Sequence, residues 1–145
     1  MLGDATLVQM AREKPQTEHD LLAGLKLLMV EDNTVNAKLA SRLLEKAGIQ
    51  VVWAQNGQEG VNTYLQGGID MVLMDIQMPV LDGFGATEAI RQAESLTGAH
   101  VPIIALTANA MKGDREKCLD AGMDEYLSKP FTPNDLMNII REVTD

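Results

Sequence analysis

One cysteine, Cys118, stands in 145 residues, so no disulfide can form within the chain. That fits a reducing compartment. Aromatic residues make up only 3% of the chain, with a single tryptophan, while Met, Leu, Ile and Val are plentiful. Basic residues are few: 12 Lys and Arg stand against 21 Asp and Glu, a net charge of −9. Direct nucleic-acid binding needs a basic face, and docking on an anionic membrane needs one too, so both are disfavoured. Most of the acidity serves solubility. No apolar stretch is long enough to span a bilayer. The N-terminus lacks the basic-then-apolar pattern of a secretion signal, and a cytoplasmic location is expected. The glycines form neither a dinucleotide fingerprint nor a P-loop. The length suits one domain with a self-sufficient core.

Two parts are expected. Residues 1–24 form an extension or linker remnant: 5–14 could make a short helix, Pro15 ends it, and Gly24 punctuates. Residues 25–145 alternate strand and helix five times. The strands are predicted at 26–30, 50–54, 71–74, 102–106 and 125–127. The helices between them are predicted at 34–47, 57–66, 83–95 and 112–121, with a final one after Phe131. Gly48 and Gly122 are helix stops, and Thr132-Pro133 sets an N-cap before a proline at the first helical position. The pattern implies an α/β fold, a doubly wound five-stranded parallel sheet with right-handed crossovers. Nothing follows the last helix, so no output domain is expected.

Four of the apolar runs end on polar residues suited to metal or phosphate. Leu27-Leu28-Met29-Val30 leads into Glu31-Asp32, and Met71-Val72-Leu73-Met74 into Asp75. Ile103-Ile104-Ala105-Leu106 leads into Thr107, and Tyr126-Leu127 leads through Ser128 to Lys129-Pro130. Short apolar runs between helical stretches are buried parallel strands. In open parallel sheets, ligands bind at the carboxyl ends of the strands. In a flavodoxin-like sheet, strand order 2-1-3-4-5, the first and third strands are neighbours, so Glu31, Asp32 and Asp75 meet. Three carboxylates within about 5 Å repel by roughly 3 kcal/mol per pair at an effective dielectric near 20. A cation relieves this, or protonation of one acid. Carboxylates, water and a phosphoryl oxygen are the ligands that Mg²⁺ prefers. A lone acid after a strand is an ordinary loop residue; two acidic strand tips side by side favour a site.

With Glu31-Asp32-Asn33, Met74-Asp75-Ile76-Gln77-Met78-Pro79, Asp82-Gly83, Leu106-Thr107-Ala108 and Lys129-Pro130-Phe131 in this order and spacing, the chain resembles the receiver domain of two-component response regulators. The resemblance covers about 25–145. Asn36 and the run Ala108-Asn109-Ala110-Met111 are most similar to receivers of hybrid sensor histidine kinases.

The resemblance implies a phosphoacceptor signalling domain of a phosphorelay. Asp75 would be the acceptor, taking its phosphoryl group from a phosphohistidine on a sensor histidine kinase or a histidine phosphotransfer protein. Asp32, Asp75 and the backbone carbonyl of Gln77 would ligate Mg²⁺, with Glu31 acting directly or through water. Lys129 would pair with a phosphoryl oxygen, aimed inward by a cis Lys129-Pro130 bond. Thr107 would hydrogen-bond the phosphoryl group, although Thr after a strand is also a common helix N-cap. Gln77 and Asn109 would tune hydrolysis, and Ala108 would leave a path to Asp75. Tyr126 would be the switch aromatic, turning inward as Thr107 moves; a half-buried tyrosine is the plainer alternative. The fourth helix, fifth strand and fifth helix would report the state, and could support a homodimer. Such a domain catalyses its own phosphorylation and dephosphorylation, without turnover on an external substrate, and no kinase catalytic domain lies in the chain.

Other residues are weaker candidates. His19-Asp20-Leu21 only faintly resembles a kinase phosphoacceptor box. His100 lies in a loop far from it, so the two histidines make no metal site. Cys118 lacks an identifiable base and is a packing thiol. Trp53 is core or partner-facing. Three other functions compete. A pseudo-receiver would bind partners without phosphoryl chemistry, but no core site residue is replaced. A phosphohydrolase would want a second acid where Gln77 stands. A flavodoxin-like cofactor binder would want Gly and hydroxyls where Glu31-Asp32-Asn33 stands.

Overall fold

The computed structural model describes residues 23–144, apart from Gln77, Pro79, 108–113 and Pro130. Expectations for residues 1–22, His19 included, lie outside the described residues. The elements alternate: β1 (Lys26–Val30), α1 (Thr34–Lys46), β2 (Gln50–Ala54), α2 (Gly57–Leu65), β3 (Met71–Asp75), α3 (Gly83–Glu94), β4 (Ile103–Thr107), α4 (Asp114–Asp120), β5 (Glu125–Ser128) and α5 (Pro133–Thr144). The strands form one sheet in the order β2-β1-β3-β4-β5, and every neighbouring pair is parallel.

Residue type sets which strands are central. All five residues of β3 and of β4 are buried, as are four of the five in β1. The edge strands β2 and β5 carry half-buried residues. Successive side chains point to opposite faces, so alternate residues feed two cores. Leu27, Met29, Leu73 and Ile104 pack with Ala40 and Leu44 of α1 and Leu136 and Ile140 of α5. Leu28, Val30, Val72 and Ile103 pack with Val61 of α2, Ile90 of α3 and Cys118 of α4. Cys118 is fully buried there, as its packing role requires. Each such aliphatic side chain stabilises the fold by roughly 1.5–3 kcal/mol.

Helix starts follow capping chemistry. The side chains of Asn33, Asn56 and Asp82 accept N–H groups from the first turns of α1, α2 and α3. Thr132 and Asp135 cap α5 reciprocally, each accepting the other's backbone N–H at 3.0 Å. Three strands, β3, β4 and β5, run one residue further than their apolar runs. Asp75 pairs in register with Leu106, and Thr107 with Ser128. A polar side chain does not stop backbone pairing: the next N–H, from Ile76, still reaches Leu106 O at 3.0 Å. The ladder therefore holds Asp75 and Thr107, rather than flexible loops doing so.

A polar clamp closes the amino edge of the sheet. Arg91 donates to Gly122 O, Val101 O, Glu94 Oε1 and Asp124 Oδ2 at 2.7–2.8 Å. Glu94 also accepts from Tyr64 Oη and Val101 N, at 2.7 and 2.6 Å. His100 lies in the loop before β4, as expected, with Nε2 2.6 Å from Asp124 Oδ1. Among the described residues, no helix is long and apolar enough to cross a membrane.

Candidate active site

At the carboxyl edge, the two acidic strand tips converge. Carboxylate oxygens of Glu31, Asp32 and Asp75 lie within 4.8 Å of one another. Glu31 and Asp75 are buried, whereas Asp32 is exposed. Lys129 Nζ sits 3.1 Å from Glu31 Oε1 and 3.5 Å from Asp75 Oδ2. Its backbone N–H donates to Thr107 O at 2.7 Å, which ties the end of β5 to β4. Thr107 itself is buried at the tip of β4.

The backbone around the acids is closely held. Glu31 N–H donates to Ala54 O at 3.0 Å. Glu31 O accepts the indole N–H of Trp53 at 2.7 Å. The N-terminus of α3 presses on the end of β3: Gly83 N–H donates to Ile76 O at 2.9 Å. A Cβ at Gly83 would lie 2.5 Å from Asp75 O, so only glycine permits this approach. In the same loop Val80 holds φ 73°, a left-handed conformation that is costly for a β-branched residue.

Electrostatics follow from this crowding. Burial pushes the Glu31 carboxyl above its ordinary pKa, and its hydrogen bond to Asp75 and the Asp75 charge push it further. The Asn33 N–H and the Lys129 ammonium oppose the rise without cancelling it.

The structure thus brings together Glu31, Asp32, Asp75, Thr107 and Lys129. Gln77, Ala108, Asn109 and the Lys129–Pro130 bond lie outside the described residues. Tyr126, on β5, is half-buried against the core facing α2, α3 and α4. Sequence reasoning missed the link from Trp53 to the acid tip, because only the register of β1 with β2 brings the indole there.

An all-oxygen acid cluster and an ammonium, at the carboxyl edge of a 2-1-3-4-5 sheet, define a flavodoxin-like fold of the receiver class. The family model of the response regulator receiver domain matches residues 27–141, and the chain belongs to that family. It is 47% identical over 120 residues to hybrid signal transduction histidine kinase I of Dictyostelium discoideum, covering 79% of this chain and 7% of that protein. The chain thus spans a small part of the relative's length. It resembles the receiver domain of the sensor histidine kinase PA1611 from Pseudomonas aeruginosa, solved with a magnesium ion coordinated in its active site cleft (46% identity, TM-score 0.75, 83% of this chain and 97% of that one). It also resembles the receiver domain of the response regulator Ssk1 of Saccharomyces cerevisiae, solved with the histidine phosphotransfer protein Ypd1 (37% identity, TM-score 0.79, 83% and 89%).

Proposed function

We propose that this receiver domain takes a phosphoryl group onto Asp75 from a phosphohistidine partner. The observation that carries the reading is the placing of Asp75: buried at a strand tip, with two further acids within 4.8 Å and Lys129 Nζ at 3.5 Å. An Asp75 carboxylate oxygen attacks phosphorus, the P–N bond breaks, and the imidazole leaves with the bond's electron pair. Hydrolysis of the acyl phosphate later regenerates the carboxylate. Phosphoryl transfer needs alignment and charge neutralisation more than covalent help.

The donor set suits Mg²⁺, which favours hard oxygen ligands and keeps several waters. Asp32 and Asp75 would hold it with the Gln77 carbonyl, and Glu31 would act directly or through water. When bound, Mg²⁺ offsets the crowded negative charge and orients the phosphoryl oxygens. Lys129 leaves its present carboxylate partners for a phosphoryl oxygen. Thr107 donates its hydroxyl to another, while Gln77 and Asn109 set access of water.

Release of Lys129 and movement of Thr107 then bias the packing of Tyr126 on β5, and the surface of α4, β5 and α5 reports the change. In the present state Arg115 of α4 lies 3.6 Å from Glu125 of β5. That surface also suits a homodimer. The Ypd1 complex of the similar Ssk1 receiver supports a histidine phosphotransfer protein or sensor kinase as donor. The lone, buried Cys118 suits a cytoplasmic location.

The test is transfer from a labelled phosphohistidine protein to this chain. Label should move to the parent in Mg²⁺ and not to Asp75→Asn. Equal labelling of both would overturn the assignment.

A further inference from the structure

We propose that Trp53 is a positioning residue for the divalent-cation site, through one hydrogen bond to the peptide from which its acids hang. This rests on the acceptor reading above. β2 ends at Ala54. Beyond it the chain turns toward α2, and Gln55 gives its N–H to Glu59 Oε1 at 2.9 Å. The Glu31 carbonyl, one residue past the end of β1, would need a backbone donor from a longer β2. The indole N–H of Trp53 stands in for that donor, at 2.7 Å. The Glu31 N–H is already fixed on Ala54 O at 3.0 Å. Both polar atoms of the residue's backbone are therefore held by β2.

The geometry bears on the metal because the carbonyl belongs to the peptide joining Glu31 to Asp32. Rotation of that peptide would swing the Asp32 carboxylate away from Asp75. Trp53 packs at the margin of the core facing α1 and α5, a contact that asks only for apolar bulk. Trp53 is half-buried on an edge strand, where its neighbours Val51 and Val52 are aliphatic and equally half-buried. What the indole adds at this position is a long reach and a donor at its tip. Groups that hold a metal ligand from behind typically govern affinity by about 10- to 100-fold. A contact to the peptide carbonyl preceding Asp32, rather than to its ligating carboxylate, belongs at the low end of that range.

The experiment is calorimetric titration of Mg²⁺ into the full chain in three forms: parent, Trp53→Phe, and a chain grown with the benzothiophene analogue of tryptophan. The analogue replaces N–H with sulfur and keeps the ring's size. Because the sequence has a single tryptophan, it alters position 53 alone. Both altered chains should bind Mg²⁺ roughly tenfold more weakly than the parent. The parent's indole N–H resonance should also shift with the calorimetric midpoint. Parent-like affinity in the analogue chain would overturn the proposal, whether or not Trp53→Phe is weakened, since a loss confined to Phe is a packing effect. Failure of the parent to bind Mg²⁺ would instead overturn the metal site itself, and this role of Trp53 with it.

Discussion

Arg91→Met should unfold the clamp at the amino edge without touching the acids at the other edge. Arg91 is 17% exposed and makes four hydrogen bonds, while its partner Glu94 is 4% exposed. Removing one member of a buried ion pair costs about 3–5 kcal/mol, because the other charge stays buried without compensation. Partial exposure of Arg91, and of Asp124 at 28%, puts the expected loss near the low end, about 3 kcal/mol. For a domain of this size that lowers the thermal midpoint by about 10 °C. The loss should also depend on pH. Burial alone would raise the Glu94 pKa, but the Val101 N–H, Arg91 and Tyr64 together hold it below its ordinary 4.5. A carboxylate with a depressed folded pKa contributes fully above its unfolded pKa, and that contribution is lost as pH falls through the folded value. The gap between parent and variant should therefore be full at pH 7 and narrow in acid, as pH falls through the lowered folded value. Thermal unfolding followed by circular dichroism across pH checks this, with Mg²⁺ affinity expected to stay at the parent's value. A variant midpoint equal to the parent's at pH 7 would refute the reasoning.

Three further outcomes follow from the site. Gly83→Ala should destabilise by roughly 1–3 kcal/mol, the cost of overpacking, because its Cβ meets the Asp75 backbone; denaturant unfolding measures the loss, and acetyl phosphate labelling should slow in parallel. Val80→Asn should stabilise by roughly 1 kcal/mol in the same unfolding assay, since Asn tolerates the left-handed conformation that strains valine. Glu31→Gln should raise the thermal midpoint in metal-free buffer at pH 7. The raised Glu31 pKa means stability present below pH 4.5 and lost as pH climbs through the folded value, so the variant's advantage should vanish in acid.

The fold was legible because the central strands are nearly pure apolar runs and the helices carry clear caps and stops. The alternation implied a doubly wound parallel sheet, the resemblance to flavodoxin-like receivers implied the order 2-1-3-4-5, and the sheet has that order. The expected strand ends fell one residue short at Asp75, Thr107 and Ser128, because hydropathy stops at a polar side chain and backbone pairing does not. Convergence of Glu31, Asp32 and Asp75 was legible, since adjacent strand tips need no side-chain detail. Two things were not. Arg91 and Glu94 look like any solvent-facing helix pair until β4 and β5 bring Val101 and Asp124 against them. Trp53 looks like an edge-strand aromatic until β1 supplies Glu31 O to its ring. Both depend on contacts made from outside their own helix or strand, which no local pattern encodes.

The central claim is that Asp75 is the phosphoryl acceptor. Incubation with acetyl phosphate, followed by borohydride reduction and peptide mass mapping, tests it most directly. The account predicts one adduct per chain in Mg²⁺, none in chelator, none in Asp75→Ala, and conversion of residue 75 to homoserine. A phosphorylated chain with residue 75 unmodified, or no adduct with Mg²⁺ present, would contradict it.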